Sequence, residues 1–197
     1  MIPPSGNAAF AAAMEEILAV YARPPQPVAP GRVAREDADY RRGGSVNAFL
    51  VCAPHLGWRH LTLTARRTAI DFAHALRQVV DVHFPEAERI VLVLDNLNTH
   101  RPAALYQAFP PAEAWRILEK LEWHFTPKHG SWLNIAELEL SVLQRQCLAR
   151  RIPDVPTLER EVHAWVQQRN GERTTVAWRL TQDDARTRLP WLYPCHQ

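Results

Sequence analysis

The stretch RIVLVLDNLNTH, residues 89–100, joins an apolar run, Ile90–Leu94, directly to an acid and an amide. A short apolar run rich in β-branched residues and closed by turn formers is typical of a strand buried on both faces. Asp95 and Asn96 would then lie at the carboxyl end of that strand, where open α/β sheets usually bind ligands. The alternative is that both residues only end the strand, since Asp and Asn are common in turns.

The composition suits one ordinary globular domain. The chain has 197 residues, of which 47% are hydrophobic and 22% charged. No apolar run approaches the roughly 20 residues that span a bilayer, and the start lacks the pattern of a signal peptide. We therefore expect a cytoplasmic protein without a membrane partner. Three widely spaced cysteines favour neither a disulfide framework nor a zinc pair.

The charge permits a nucleic-acid partner but does not argue strongly for one, because the formal net charge is only +2. The basic residues do include three adjacent pairs: Arg41–Arg42, Arg66–Arg67 and Arg150–Arg151. Such pairs more often decorate a solvated surface than contact phosphate. Phosphate contact therefore needs support from the rest of the chain.

The order of the predicted elements indicates an α/β protein with a mixed sheet flanked by helices. Apolar residues at three- and four-residue spacing predict a helix over Asn7–Tyr21. The prolines of segment 23–31 predict an extended linker. The other predicted helices cover 69–84, 103–109, 111–120, 131–150 and 159–169, and the other predicted strands cover 46–52, 58–64 and 121–126.

The predicted helix after Gly130 carries two acids, Glu137 and Glu139, within a largely apolar segment. A buried carboxylate is costly unless it is paired, hydrogen-bonded or bound to a metal. Both acids flank the main apolar face at similar angles, so helical periodicity does not choose between them. The alternative is that both point to solvent or pair with Arg145 and Lys128.

Two segments, 93–100 and 124–137, together resemble the catalytic core of mariner-related bacterial insertion-sequence transposases. Those enzymes have an RNase H-like fold and a DDE triad of two aspartates and one glutamate. The family's Asp-Asn-x-x-x-His motif is matched by Asp95, Asn96 and His100. Its Leu-Asn-x-x-Glu motif, after an aromatic-Thr-Pro turn, is matched by Leu133, Asn134 and Glu137.

The resemblance implies that Asp95 and Glu137, rather than Glu139, are catalytic and bind two Mg²⁺ or Mn²⁺ ions. One ion would activate the attacking water or 3′-hydroxyl and the other would stabilise the leaving oxygen. The implied partner is DNA, at the terminal inverted repeats of a mobile element, bound by a homodimer. The residues with an implied DNA or phosphate contact are Asn96, His100, Lys128, His129 and Asn134.

The chain departs from the family where the first aspartate should be. That residue lies on a first central strand, which we expect between the predicted Asn7–Tyr21 helix and Tyr40. The interval holds no apolar run, and its only aspartates, Asp37 and Asp39, lie in a polar segment. The family's upstream helix-turn-helix is also not found. The expected division is a helical remnant at 1–22, a linker at 23–44 and an RNase H-like domain at 45–193.

The simplest interpretation is a transposase remnant that is shortened at its start and internally deleted. It would be inactive because the first aspartate of the triad is missing. Loss of a central strand would also leave the sheet broken and the protein marginally stable. One alternative is a non-catalytic, transposase-derived protein that binds DNA or another protein. Another is an α/β phosphotransferase or nucleotide-binding enzyme, which the lack of a glycine-rich phosphate loop disfavours.

Overall fold

A computed structural model describes residues 7–21, 27–28, 30, 33, 40–95, 97–126, 134–176 and 182–188. Its centre is a five-stranded sheet in the order β3-β2-β1-β4-β5. The strands are β1 (Asn7–Tyr21), β2 (Tyr40–Ala53), β3 (Trp58–Thr64), β4 (Ile90–Leu94) and β5 (Leu121–Phe125). Strands β1, β2 and β3 are antiparallel neighbours, whereas β4 runs parallel to both β1 and β5. The sheet is therefore mixed, as predicted.

Two layers of helices cover the sheet. The helices are α1 (Ala69–Gln78), α2 (Ala103–Ala108), α3 (Pro111–Glu119), α4 (Ile135–Gln146), α5 (Val155–Gly171) and α6 (Gln182–Arg188). A π-helical segment, Val79–His83, extends α1. Helices α1, α2 and α3 share one apolar core with the sheet, and α4 and α5 share the core on the opposite face. Among the described residues, no helix combines the length and the apolar character needed to cross a membrane.

The prediction of a helix over Asn7–Tyr21 is wrong, because this segment is strand β1 at the centre of the sheet. Its alanines favour a helix locally, since alanine has the highest helix propensity. In the folded chain β2 and β4 pair with β1 from both sides. Ala9 and Ala11 lie in one core and Ala12 in the other. Small side chains on both faces let the two helical layers pack close to the strand.

The prediction that the first central strand is missing is wrong for the same reason. Strand β1 precedes the proline-rich segment instead of being replaced by it. The division into segments 1–22, 23–44 and 45–193 stays a prediction, although its first segment contains strand β1 instead of a helix. The expectation of marginal stability also stays a prediction. Asp37 and Asp39, the two aspartates considered for the first acid, lie outside the described residues.

The remaining predicted elements are all found, most with shifted ends; the largest shift is at β2, which begins six residues before the predicted start at 46. The buried strand Ile90–Leu94 has the predicted bounds, and each of its residues is buried. The long predicted helix over 69–84 is α1 followed by the π-helical segment. Helix α4 begins at Ile135, and α5 begins four residues before the predicted start at 159. Helix α6 was not predicted.

Candidate functional site

Asp95 follows the last residue of β4 and lies at the carboxyl edge of the sheet. Its Oδ1 lies 2.6 Å from Nδ1 of His100 and accepts a longer hydrogen bond, 3.4 Å, from the amide of Leu97. Because an ionised carboxylate can only accept hydrogen bonds, Nδ1 of His100 is the donor and carries the proton. Both neighbours therefore orient the carboxylate through one oxygen atom.

His100 lies in the interior beneath Asp95. Its side chain is fully buried, and its ring stacks on Phe72 with 4.5 Å between ring centroids. Its Nε2 is buried and has no hydrogen-bond partner among the described residues. These contacts suit a side chain that holds Asp95 in place. Contact between His100 and phosphate stays a prediction, and in this structure the ring is shielded from solvent.

Several groups determine the protonation of Asp95. Burial raises the pKa of its carboxyl, but the hydrogen bond and charge of His100, the Leu97 amide and the charge of Arg67 together lower it below the usual value. The carboxylate is therefore favoured in the folded state. Arg67 is exposed in the loop between β3 and α1. Arg67 is therefore a cation close enough to lower the pKa of Asp95, and neither motif contains it.

Asn134 joins the beginning of α4 to β1. Its side-chain oxygen accepts a hydrogen bond from the amide of Ala136, 3.1 Å, and so caps the helix. Its Nδ2 donates to the backbone carbonyl of Ala11, 2.9 Å. The side chain is fully buried. Asn134 thus fixes the first turn of α4 against the central strand, and its predicted DNA contact stays a prediction.

The two acids of α4 have different surroundings. Glu137 lies in the first turn of the helix and is partly exposed, three residues after the cap. Glu139 is only 4% exposed. The alternative in which both acids point to solvent or pair with Arg145 and Lys128 is wrong for Glu139. The structure therefore separates two residues that helical periodicity could not distinguish.

Glu139 lies between two arginines in a buried ion cluster, defined here as Arg59, Glu139 and Arg169. Arg169 donates from Nη2 to both carboxylate oxygens, at 2.9 and 3.1 Å. Nε of Arg59 lies 3.2 Å from Oε2, although its N–H is not aligned for a hydrogen bond. Asn170 accepts from the Arg59 amide and donates to its carbonyl. The cluster joins β3, α4 and α5.

The start of α4 and Asp95 lie at the same edge of the sheet. Ala11 pairs with Leu94, the residue before Asp95, in the parallel register of β1 and β4. Asn134, which caps α4, binds the carbonyl of this same Ala11. The carboxylate of Asp95 itself is held by His100, whose ring packs in the core on the α1 side of the sheet.

The other predicted site residues lie outside the described part of the chain. Asn96, Lys128 and His129 are among them. Their predicted contacts with DNA or phosphate stay predictions.

Divalent ions such as Mg²⁺ prefer oxygen ligands, and two carboxylates can hold one such ion together with water or phosphate oxygens. Two ions a few ångströms apart repel each other, so they need a further carboxylate between them. Within the described residues, no group of three or more His, Cys, Asp or Glu side chains could hold a metal ion. The described residues thus do not fit a two-ion site.

Residues 16–159 match the sequence model of a family described as DDE superfamily endonuclease. No curated protein sequence matches significantly. The chain is similar in fold to the crystal structure of the Mos1 mariner paired end complex with Mn, at 15% identity and a TM-score of 0.56, covering 85% of this chain and 50% of that one. It is also similar to the Mos1 strand transfer complex, at 14% identity and a TM-score of 0.53, covering 85% of this chain and 53% of that one.

The chain thus spans about half the length of the Mos1 chains that it matches. At this level of identity the likeness concerns the fold. It confirms the predicted RNase H-like architecture, a mixed sheet flanked by helices.

Proposed function

Because this chain belongs to the DDE superfamily endonucleases, we propose that it is a transposase-type domain that binds DNA and does not cut it. The observation that carries the proposal is that Asp95 and the start of α4, which carries Glu137, lie at the same edge of the sheet, while the described residues include no group of three or more His, Cys, Asp or Glu that could hold a metal ion. Among the described residues, the third carboxylate of a DDE triad is therefore not found beside them. In this proposal the chain keeps the DNA binding of the family but does not cleave DNA.

Basic groups at the carboxyl edge support DNA binding. Strand β3 ends at Thr64, which pairs with Asn47 of β2, and Asn47 in turn pairs with Glu15 of β1. The loop after β3 therefore lies at the same edge as Asp95, and both Arg66 and Arg67 are exposed in it. Exposed arginines beside a sheet edge can contact successive phosphates of a duplex.

The substrate and the assembly follow from the family resemblance. We assign the DNA partner to the terminal inverted repeats of a mobile element and the working form to a homodimer in a bacterial cytoplasm. The Mos1 structures similar to this chain are described as a paired end complex and a strand transfer complex. Mg²⁺ or Mn²⁺ is the metal of the implied chemistry, with weak binding expected at Asp95 and Glu137.

DNA binding is tested by gel shift at several salt concentrations, with repeat-containing and unrelated duplexes. We expect a complex whose affinity falls as salt rises, and a salt slope reduced by about one in Arg67→Gln if that arginine contacts one phosphate. Arg89→Gln is the matched control, since Arg89 precedes β4 at the opposite edge of the sheet. Failure of the wild-type protein to bind any duplex would refute the proposal.

The absence of cleavage is tested separately, on nicked and intact repeat duplexes with Mg²⁺ or Mn²⁺. We expect no product, because losing one member of a set of residues that act as a unit costs several powers of ten in rate. Metal-dependent nicking that disappears in Asp95→Ala would show that the chain is an active endonuclease. DNA binding could still hold in that case, so the two tests judge the two halves of the proposal independently.

A further inference from the structure

We propose that His60 of β3 and His83 of the π-helical segment bind a divalent transition-metal ion of the Zn²⁺ class. The observation behind the proposal is the contact between the two imidazole rings, whose centroids are 4.2 Å apart. Neither histidine is part of the candidate site at Asp95. The proposal is also independent of DNA binding.

Strand β3 directs His60 to the α1 side of the sheet. Trp58 packs against the apolar core on that side, and Thr62 donates a hydrogen bond to Gln78 at the end of α1, 3.2 Å. Side chains alternate along a strand, so His60 lies on the same face, between Trp58 and Thr62. Its ring therefore meets the end of α1 and the π-helical segment that follows.

The π-helical segment brings His83 to the same place. Its hydrogen bond runs from the amide of Phe84 to the carbonyl of Val79, five residues earlier, 2.9 Å. In an α-helix, the side chains of Gln78 and His83 would point about 140° apart. The wider π-helical turn lets both of them reach His60, which contacts the His83 ring and forms a hydrogen bond with Gln78. Such turns are frequent at functional sites.

The separation of the rings suits two ligands of one ion. A tetrahedral Zn²⁺ lies about 2.0–2.1 Å from each imidazole nitrogen, so two such nitrogens are about 3.3 Å apart. The rings of His60 and His83, inclined at 45°, can reach that separation by rotation about χ2. Zn²⁺, Ni²⁺ and Cu²⁺ accept imidazole ligands, whereas Mg²⁺ prefers oxygen. Water would complete the coordination, because the described residues add no third His, Cys, Asp or Glu ligand.

Gln78 supplies an outer-shell contact of the kind that metal-binding histidines make. Its hydrogen bond with His60 raises the pKa of that imidazole, so the ring is the donor. One ring nitrogen of His60 then carries the proton, and the other has a lone pair for a metal ion. The side-chain oxygen of Gln78 is itself fixed by Thr62. Among the described residues, the ring nitrogens of His83 have no hydrogen-bond partner.

The surroundings keep both imidazoles neutral and in place. Burial lowers the pKa of His60, although Gln78 opposes this, and burial together with the charge of His60 lowers the pKa of His83 to about 4. Neutral imidazole is the form that binds metal. The Trp58 ring centroid lies 5.0 Å from that of His83 and 6.4 Å from that of His60. Rings that are already packed in this way lose little entropy when they bind an ion.

The site is separate from the edge at which Asp95 lies. His60 pairs with Val51 of β2, and β2 is joined through β1 to β4. Three strand spacings of about 4.8 Å separate β3 from β4, about 14 Å in all. Asp95→Asn is therefore expected to leave the affinity of the histidine site unchanged.

The test measures Zn²⁺ binding to the full chain, without a histidine tag and without DNA, by calorimetry at neutral pH. We expect His60→Gln and His83→Gln each to weaken binding at least about tenfold, since even the loss of an outer-shell partner costs about 10–100-fold in affinity. His163→Gln is the matched control, because His163 is exposed on α5 at the other face of the sheet. Excess Mg²⁺ is expected not to compete.

A bound ion would join β3 to the π-helical segment. We therefore expect Zn²⁺ to raise the melting temperature of the wild type and of His163→Gln more than that of His60→Gln or His83→Gln. Should a ligand variant not fold, Gln78→Ala removes the exposed outer-shell side chain and keeps both ligands, with an expected loss of about 10–100-fold.

Equal Zn²⁺ affinity in the wild type and in the folded variants of His60, His83 and Gln78 would overturn the proposal. Loss of Zn²⁺ binding in Asp95→Asn would overturn it too, because the ion would then lie at the other edge. Neither outcome affects the gel-shift test of DNA binding, so the two proposals can fail separately.

Discussion

Helix α4 contributes one acid to each of two regions, the buried ion cluster and the edge of the sheet at which Asp95 lies. In the ion cluster, Glu139 is enclosed by two guanidinium groups and is almost completely buried. At the edge, Glu137 is partly exposed. The acid of the cluster is therefore held by two cations from distant elements, whereas the acid at the edge is partly open to solvent.

The difference teaches that two acids two residues apart on the same helix can have different effects on the fold. The ion cluster joins three elements and holds α4 against β3 and α5. Glu137 lies in the first turn of α4 and is partly exposed. We therefore expect the fold to depend on Glu139 much more than on Glu137. The comparison can be tested through the consequences of removing each group.

The largest effect is expected for Glu139→Gln. The substitution leaves Arg59 and Arg169 buried without the charge that compensates them, and breaking such a pair costs about 3–5 kcal/mol. Glu137→Gln is the matched control, because Glu137 lies two residues earlier on the same helix. Since Glu137 is partly exposed, we expect this substitution to change the free energy of unfolding by no more than about 0.5 kcal/mol. Urea denaturation of both variants gives the two values. Equal losses would abolish the distinction between the two regions.

A smaller effect is expected for Asn134→Ala, which removes the tether between α4 and β1. The loss combines a helix cap with a buried carbonyl of Ala11 that is left without its donor, about 2–3 kcal/mol together. Asp154→Ala removes only an exposed cap, on α5, and should cost less. Equal losses in urea denaturation would mean that the contact with Ala11 contributes nothing.

The smallest effect concerns Cys52, which lies near the ion cluster. Burial, together with the charge of Glu139, raises the pKa of its thiol to about 12, although Arg59 opposes this. The unfolded thiol ionises near pH 9 while the folded thiol stays protonated, so this contribution to stability is complete below pH 9 and is lost as pH rises towards 12. The loss is at most about 1.4 kcal/mol per pH unit.

The check compares the unfolding free energies of the wild type and Cys52→Ala between pH 8 and pH 10.5. Alanine introduces a constant packing cost, so the informative quantity is the slope with pH. We expect the wild type to lose stability more steeply than the variant above pH 9. Parallel curves would show that the interior beside the ion cluster is wetter than the structure indicates.

The sequence predicted most of the fold wherever local pattern and tertiary environment agree. Strand β4 was predicted with its observed bounds, because a short apolar run that is rich in β-branched residues and followed by Asp95 is typical of a buried strand. The helices α2 and α3 were found because prolines mark their starts. Strand β1 was missed because alanine favours helices, and only its partners β2 and β4, distant in the chain, determine its conformation.

The candidate site was predicted in part. The sequence placed Asp95 at a strand end and Glu137 within a helix, as the structure has them, but the helix begins at Ile135 instead of residue 131. The catalytic and metal-binding roles of both acids stay predictions. The buried role of Glu139 could not be predicted, because its partners come from β3 and α5 and are 80 and 30 residues away.

The sequence by itself therefore determined the family motifs, the buried strand β4 and the order of most elements, because each depends on residues close together in the chain. Only the tertiary structure decided that Asn7–Tyr21 is the central strand and that Asn134 joins the start of α4 to it. It also decided that Glu139 belongs to an ion cluster and Glu137 to the edge. The physical reason is that strand pairing and charge compensation join residues far apart in sequence, and no local pattern encodes which of them will meet.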